Sequence, residues 1–184
     1  MKKNDLLLVV DMQNVYKKGG KWQCENTEGA ADNINKIIAS GMNNVIFTKF
    51  IANEKNPVGV WKDYNVKYQD VNHDEYANEI VDELKENAEK FPVYEKSVYS
   101  SIENKKVIKA CKKAGRVVVT GVVSECCVLS TILALMDKGI YAVYLKDACS
   151  GLDKPKEAAT ELIFSGLSPL HVLMMTTDEY LAEK

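Results

Sequence analysis

The chain has 184 residues, 46% of them hydrophobic and 27% charged, with a formal net charge of −2. That is the size and balance of one globular unit with a sizeable core, and it excludes a disordered chain. No basic block offers itself to nucleic acid, and no apolar run reaches the ~20 residues of a membrane span. The five cysteines, at 24, 111, 126, 127 and 149, are odd in number and lack metal-finger spacing. They point to a reducing cytoplasm rather than a disulfide framework.

Leu6 to Val10 is an uninterrupted apolar run, as expected of a strand buried on both faces. Asp11 ends it too early for a signal peptide. The stretch 12–28 then forms a polar, glycine-containing loop long enough to fold over something. Ile34, Ile37 and Ile38 carry helical spacing within Asp32 to Met42, and Gly41 marks its end. Val45 to Phe47 begins a second strand, which leaves through T-K-F-I-A-N. From Asn53 to Asp74 periodicity fades, but Trp61, Tyr64 and Tyr68 recur three to four apart. They read as one helix face packed on the core, with an aromatic pocket wall or a subunit contact as the alternative. Glu75 to Ala88 is predicted as one charged helix with Ile80, Val81 and Leu84 inward.

Phe91 to Tyr94 is a short third strand that delivers Lys96, and Ile102 to Ala114 is a helix closed by Gly115. Val117 to Thr120 is a fourth strand, turning at Gly121 into a helix over Glu125 to Lys138. Ile140 to Leu145 is a fifth strand ending at Asp147. A helix over Lys156 to Gly166 follows, with Pro155 near its first turn. Leu170 to Met174 is a sixth strand, and Thr177 to Ala182 a last helical segment. Strands alternating with helices imply a single doubly wound α/β/α domain over residues 1–184, built on a six-stranded parallel sheet.

In such a sheet ligands bind beyond the carboxyl ends of the strands. Asp11, Lys96 and the pair Cys126–Cys127 all fall there. A thiol at the start of a helix meets free N–H groups and partial positive charge, which favour a thiolate and an oxyanion. A carboxylate can take the thiol proton, and an ammonium can stabilise the charge that results. Taken singly, each residue also has a plain structural explanation. Buried cysteines are commonly inert, and polar residues are common at strand ends.

D-M-Q-N at 11–14, the lysine of E-K-S-V-Y-S-S, and T-G-V-V-S-E-C-C-V at 120–128 resemble the isochorismatase-like cysteine hydrolase superfamily. That superfamily includes nicotinamidases, N-carbamoyl amidohydrolases and isochorismatases, and the similarity runs through nearly the whole chain. The resemblance implies Cys127, six residues after Gly121 and followed by Val128, as the nucleophile. It makes Asp11 and Lys96 its catalytic partners, and Val123 and Cys127 the N–H donors of an oxyanion hole. It also implies a cis peptide between Val122 and Val123, and Tyr16 and Val122 as substrate contacts. Cys126 stands where relatives often carry an aromatic residue.

Nicotinamidases of this group carry a metal-binding D-x-H segment after the second strand. Here Phe50 stands in place of the aspartate, and His73 and His171, the only histidines, lie far apart in the sequence. No metal is therefore expected, and His73 should face solvent. No G-x-G-x-x-G or Walker loop calls for a nucleotide, so no cofactor is expected. The expected partners are a small-molecule substrate and further copies of the chain, with neither nucleic acid nor membrane. The leading reading is a metal-independent cysteine amidohydrolase cleaving a C–N bond of a small amide or carbamoyl compound. The alternatives are an isochorismatase-type hydrolase acting on an enol ether, or a thiol redox or binding protein of the same fold.

Overall fold

The strand Asp5–Val10 (β1) is buried along its whole length in the structure, a computed structural model describing residues 4–183. Its side chains alternate, as pleating requires. Leu7 and Val9 enter one apolar cluster, and Leu6, Leu8 and Val10 another. The remaining strands are β2 (Val45–Phe50), β3 (Val93–Lys96), β4 (Arg116–Val122), β5 (Ala142–Ser150) and β6 (Val172–Met175). All pair in parallel in the order β3-β2-β1-β4-β5-β6, so the expected six-stranded parallel sheet is present.

The helices among the described residues begin with α1 (Thr27–Ala39), α2 (Trp61–Lys67), α3 (Gln69–Asn72), α4 (Glu75–Asn78) and α5 (Lys85–Lys90). They continue with α6 (Lys105–Cys111), α7 (Leu129–Asp137), α8 (Lys154–Ser165) and α9 (Thr177–Ala182). Ala30, Ile34 and Ile37 of α1 and Tyr180 of α9 cover one face of the sheet. Val107 of α6, Ile132 and Leu135 of α7 and Phe164 of α8 cover the other. The result is the three-layer α/β/α architecture that the alternation of elements implied.

Several boundaries differ from expectation, each for a local reason. α1 starts at Thr27 because the Asn26 side chain accepts from Gly29 N–H at 3.1 Å and caps it there. The single helix predicted over Glu75 to Ala88 is broken. Gln13 Nε2 donates to Asn78 O at 3.0 Å, and Val81 N–H donates to Met12 O at 2.9 Å. Those tertiary bonds take groups that a continuous helix would need. β5 runs on to Ser150, because a register shift between Val119 and Gly121 of β4 lets Val122 pair with Ser150.

Gly121 has φ 106°, and a Cβ there would lie 2.1 Å from Val10 O. Only glycine lets β4 pass that close to β1. The next peptide, Val122–Val123, is cis, as the resemblance implied. The helix expected from Glu125 opens instead as one wide, π-type turn over Ser124–Val128, and α7 follows it. At the opposite end of the sheet, Arg116 donates to both Asp5 oxygens at 2.8 Å, and Tyr180 Oη joins at 3.0 Å.

Candidate active site

The strand order reverses direction between β1 and β4, which opens a crevice beyond their carboxyl ends. Asp11 leaves β1 into that crevice with φ 50°, a left-handed conformation that aspartate adopts more readily than most residues. Thr48 holds it from both sides. The Asp11 N–H donates to Thr48 O at 3.1 Å, and Thr48 Oγ1 donates to Asp11 Oδ1 at 2.8 Å.

The other oxygen, Oδ2, lies 2.5 Å from Lys96 Nζ. Lys96 is the last residue of β3, paired in register with Phe50 of β2. Its ammonium also donates to Val98 O at 2.9 Å and to Cys127 Sγ at 3.5 Å. The lysine thus forms an ion pair with a carboxylate and donates to a carbonyl and a thiol. Asp11 is 0% exposed, Lys96 6% and Cys127 3%. The structure therefore brings together Asp11, Lys96 and, of the two cysteines at the strand end, the one that the resemblance implied.

Burial opposes the charge on Lys96, but Asp11 and Cys127 outweigh it and hold the ammonium above its ordinary range. Burial pushes the Cys127 thiol well up, with Lys96 pulling it down and Asp11 adding to the rise. At neutral pH Lys96 therefore keeps its charge and Cys127 its proton.

Val123 and Cys127 lie at the two ends of the cis peptide and wide turn. The Val123 carbonyl accepts from Cys126 N–H at 3.0 Å and Val128 N–H at 3.1 Å, and the intervening Cys127 N–H is not part of that pair. Tyr16 is buried, its hydroxyl held protonated by burial first and then by Cys127 and Asp11. Val122 is fully buried and packs into the cluster on the α1 face. Cys126 is partly exposed, with burial and Glu125 raising its thiol.

The aromatic residues of α2 and its neighbours correct the expectation of core packing. Trp61, Tyr64 and Tyr68 are only partly buried and belong to neither apolar cluster of the sheet. Tyr64 lies 6.3 Å from Phe50 and Trp61 5.8 Å, centroid to centroid, and Phe50 in turn sits 5.5 Å from Lys96 Nζ. Trp22 joins from the 12–28 loop at 5.4 Å from Tyr68, and Tyr99 from beyond β3 at 4.9 Å from Trp61. Burial raises the hydroxyls of Tyr64 and Tyr99, and ionisation of the nearby Cys126 and Cys127 thiols would raise them further. The rings roof the thiol. Their helical spacing is genuine, but the face it defines turns to the site instead of the core.

Phe50 also decides the metal question at this place. The position that the resemblance assigns to a carboxylate ligand holds a carbon ring, which offers a cation over it no donor atom. His73 pairs with Glu54 at 3.0 Å and its side chain is 65% exposed. Among the described residues, no group of three or more His, Cys, Asp or Glu side chains could hold a metal ion.

Sequence reasoning missed Gln13, Thr48 and Ser101. Gln13 lies inside the quoted D-M-Q-N motif, and its amide exchanges bonds with the Phe50 main chain at 2.7 and 3.1 Å. Thr48 stands out only as a hydroxyl inside an apolar strand.

A doubly wound parallel sheet with a buried carboxylate, ammonium and thiol at its switch point defines the cysteine-hydrolase class of α/β protein. Within that class the chain belongs to the isochorismatase-like superfamily, since the family described as Isochorismatase domain matches residues 5–178. No curated protein matches the chain. Among solved structures, a cysteine hydrolase from Pseudomonas syringae pv. phaseolicola 1448A is similar with TM-score 0.79 at 20% identity, over 97% of this chain and 91% of that one. A MAR1 ribonuclease from Caenorhabditis elegans gives 0.73 at 17% identity, over 97% and 79%. A pyrazinamidase of Pyrococcus horikoshii, in complex with zinc, gives 0.71 at 18%, over 94% and 99%. At such identities the likeness establishes the fold, while the substrates named differ widely. No helix among the described residues is long and apolar enough to cross a membrane.

Proposed function

We propose that this protein is a cysteine amidohydrolase that cleaves the C–N bond of a small amide or carbamoyl compound through a thioester on Cys127. The observation that carries the reading is Lys96 Nζ, lying 2.5 Å from Asp11 and 3.5 Å from Cys127 in a site nearly closed to water.

A thiol whose ionisation is opposed by burial becomes nucleophilic only as its proton leaves. Asp11 takes that proton as sulfur attacks the carbonyl carbon, and Lys96 offsets the negative charge passing between them. The tetrahedral oxyanion is received by the Val123 and Cys127 N–H groups. Asp11 then returns the proton to the leaving nitrogen, and an amine or ammonia departs. A water molecule gives a proton to Asp11 and its oxygen to the thioester, restoring the thiol. Tyr16 and the rings around Tyr64 hold the body of the substrate and exclude bulk water, which strengthens every charge interaction inside.

The test is turnover and intact mass on a panel of small amides and N-carbamoyl compounds. Cys127→Ala is expected to abolish turnover on any accepted compound, and Cys126→Ala to stay within a fewfold of wild type. Full activity in Cys127→Ala would sink the mechanism. The same reading includes a homo-oligomer, supported by the exposed Val58, Val60 and Val66 on the segment that roofs the site. Light scattering that returns a monomer mass would remove that part.

A further inference from the structure

We infer that Thr48 is a positioning residue for Asp11, and that Ser101 holds Thr48 in that role. The inference rests on the proposal that Asp11 moves the proton of Cys127.

Thr48 is 0% exposed and sits in β2, two residues beyond Ile46 and on the same face. That face is otherwise apolar, formed there by Leu8, Val10, Ile46 and Ile102. A valine has the shape that this layer asks for, so the hydroxyl must satisfy itself within the protein. Its hydrogen is given to Asp11 Oδ1 at 2.8 Å. A carboxylate can only accept, and so the second contact of the hydroxyl, Ser101 Oγ at 3.2 Å, has to be one in which Ser101 donates.

Ser101 is itself held: its N–H donates to Thr131 Oγ1 of α7 at 2.9 Å. The line Thr131–Ser101–Thr48–Asp11 therefore runs from the helix behind the nucleophile to the carboxylate, through groups that are all 0% exposed. With Oδ1 occupied, the carboxylate cannot rotate about its last bond without breaking a buried hydrogen bond. Oδ2 is the oxygen left to face Lys96, which in turn donates to the Cys127 thiol. A proton carrier that must accept from sulfur, give to nitrogen and accept again from water gains by presenting one oxygen at one place.

The experiment uses p-nitrophenyl acetate with the full chain. In the first step the Cys127 S–C bond forms, p-nitrophenolate leaves with the electron pair, and the thiol proton passes to Asp11 and on to solvent. In the second, water attacks the thioester, the C–S bond breaks, and acetate and the thiol are released. The first step appears as a burst and as an acetyl adduct in the intact mass. The second sets the steady rate and needs Asp11 to take a proton from water.

Thr48→Val is expected to lower the steady rate about tenfold or more, while Thr48→Ser stays within about twofold of wild type. A wild-type rate in Thr48→Val overturns the inference, and so does a Thr48→Ser variant as slow as Thr48→Val, because the hydroxyl would then not be the cause. If Thr48→Val does not fold, Ser101→Ala carries the test, with a fall of about threefold expected and a wild-type rate overturning it. Asp11→Asn separates the two levels of argument. If it deacylates at the wild-type rate, or if wild-type Cys127 is never acetylated, the proposed function fails and this inference with it. If Asp11→Asn is slow and Thr48→Val is not, only the inference fails.

Discussion

Replacing Lys96 by methionine keeps the length of the side chain and removes its charge. The ion pair it ends is 2.5 Å long, between side chains 1% and 0% exposed. Asp11 would be left as a buried carboxylate with the Thr48 hydroxyl as its remaining side-chain donor. Breaking a buried pair from one side costs about 3–5 kcal/mol, because the surviving charge stays out of water with nothing to balance it. For a chain of this length each kcal/mol moves Tm by about 2–4 °C, so Lys96→Met is expected to melt about 6–20 °C below wild type.

The double variant Asp11→Asn/Lys96→Met removes both charges and fills nearly the same volume. It should recover most of the loss, with a coupling of about 3 kcal/mol between the two sites. Turnover should not recover in any of the three variants. Urea unfolding at pH 7, followed by far-UV circular dichroism, measures the cycle. Single variants within 1 kcal/mol of wild type, or losses that simply add, would refute the coupled buried pair on which the candidate site is built.

Three further outcomes follow from other parts of the molecule. Burial raises the thiols of Cys24, Cys127 and Cys149 far above their ordinary value of 9.0, and pushes Cys111 up to about 12. The unfolded chain releases these protons from about pH 9 while the folded chain keeps them. Stability is therefore complete below that pH and falls as pH rises beyond it, by about 1.4 kcal/mol per unit for each thiol and about 5.6 kcal/mol per unit for the four together. Thermal melts across pH 7–11 check this, and a flat Tm would contradict it.

Removing a ring from the roof, as in Tyr64→Ala or Trp61→Ala, should speed alkylation of Cys127 by iodoacetamide severalfold in intact-mass time courses. An unchanged rate would mean that the rings do not limit access. Gly121→Ala would drive a methyl against Val10 O, 2.1 Å away, at φ 106°. It is expected to cost more than 3 kcal/mol and to yield insoluble protein, and a melt within 1 kcal/mol of wild type would contradict the close approach of β1 and β4.

Much of the architecture was open to reading because its causes are local. Leu6 to Val10 is apolar at every position, and only a strand covered on both faces accounts for that. The alternation of such runs with helical spacing leaves few topologies other than a doubly wound sheet. Asp11, Lys96 and the pair Cys126–Cys127 could be picked out as chemistry at strand ends, since a parallel sheet lines up its carboxyl ends whatever the loops do; the choice of Cys127 came from the resemblance.

Tertiary structure alone decided matters in which two distant segments compete for the same atoms. The helix over Glu75 to Ala88 fails because Gln13 and Met12, more than sixty residues earlier, take its hydrogen-bonding groups. The spacing of Trp61, Tyr64 and Tyr68 shows that one face is apolar, but not what that face meets. Only the fold brings Phe50 and Trp22 beneath it and makes it the roof of the thiol. Thr48 is the plainest case. In the sequence it is one hydroxyl in V-I-F-T-K-F, and its partners Asp11 and Ser101 lie 37 and 53 residues away. A hydrogen bond depends on a few tenths of an ångström between chains, whereas burial and periodicity depend on the run of residue types along one.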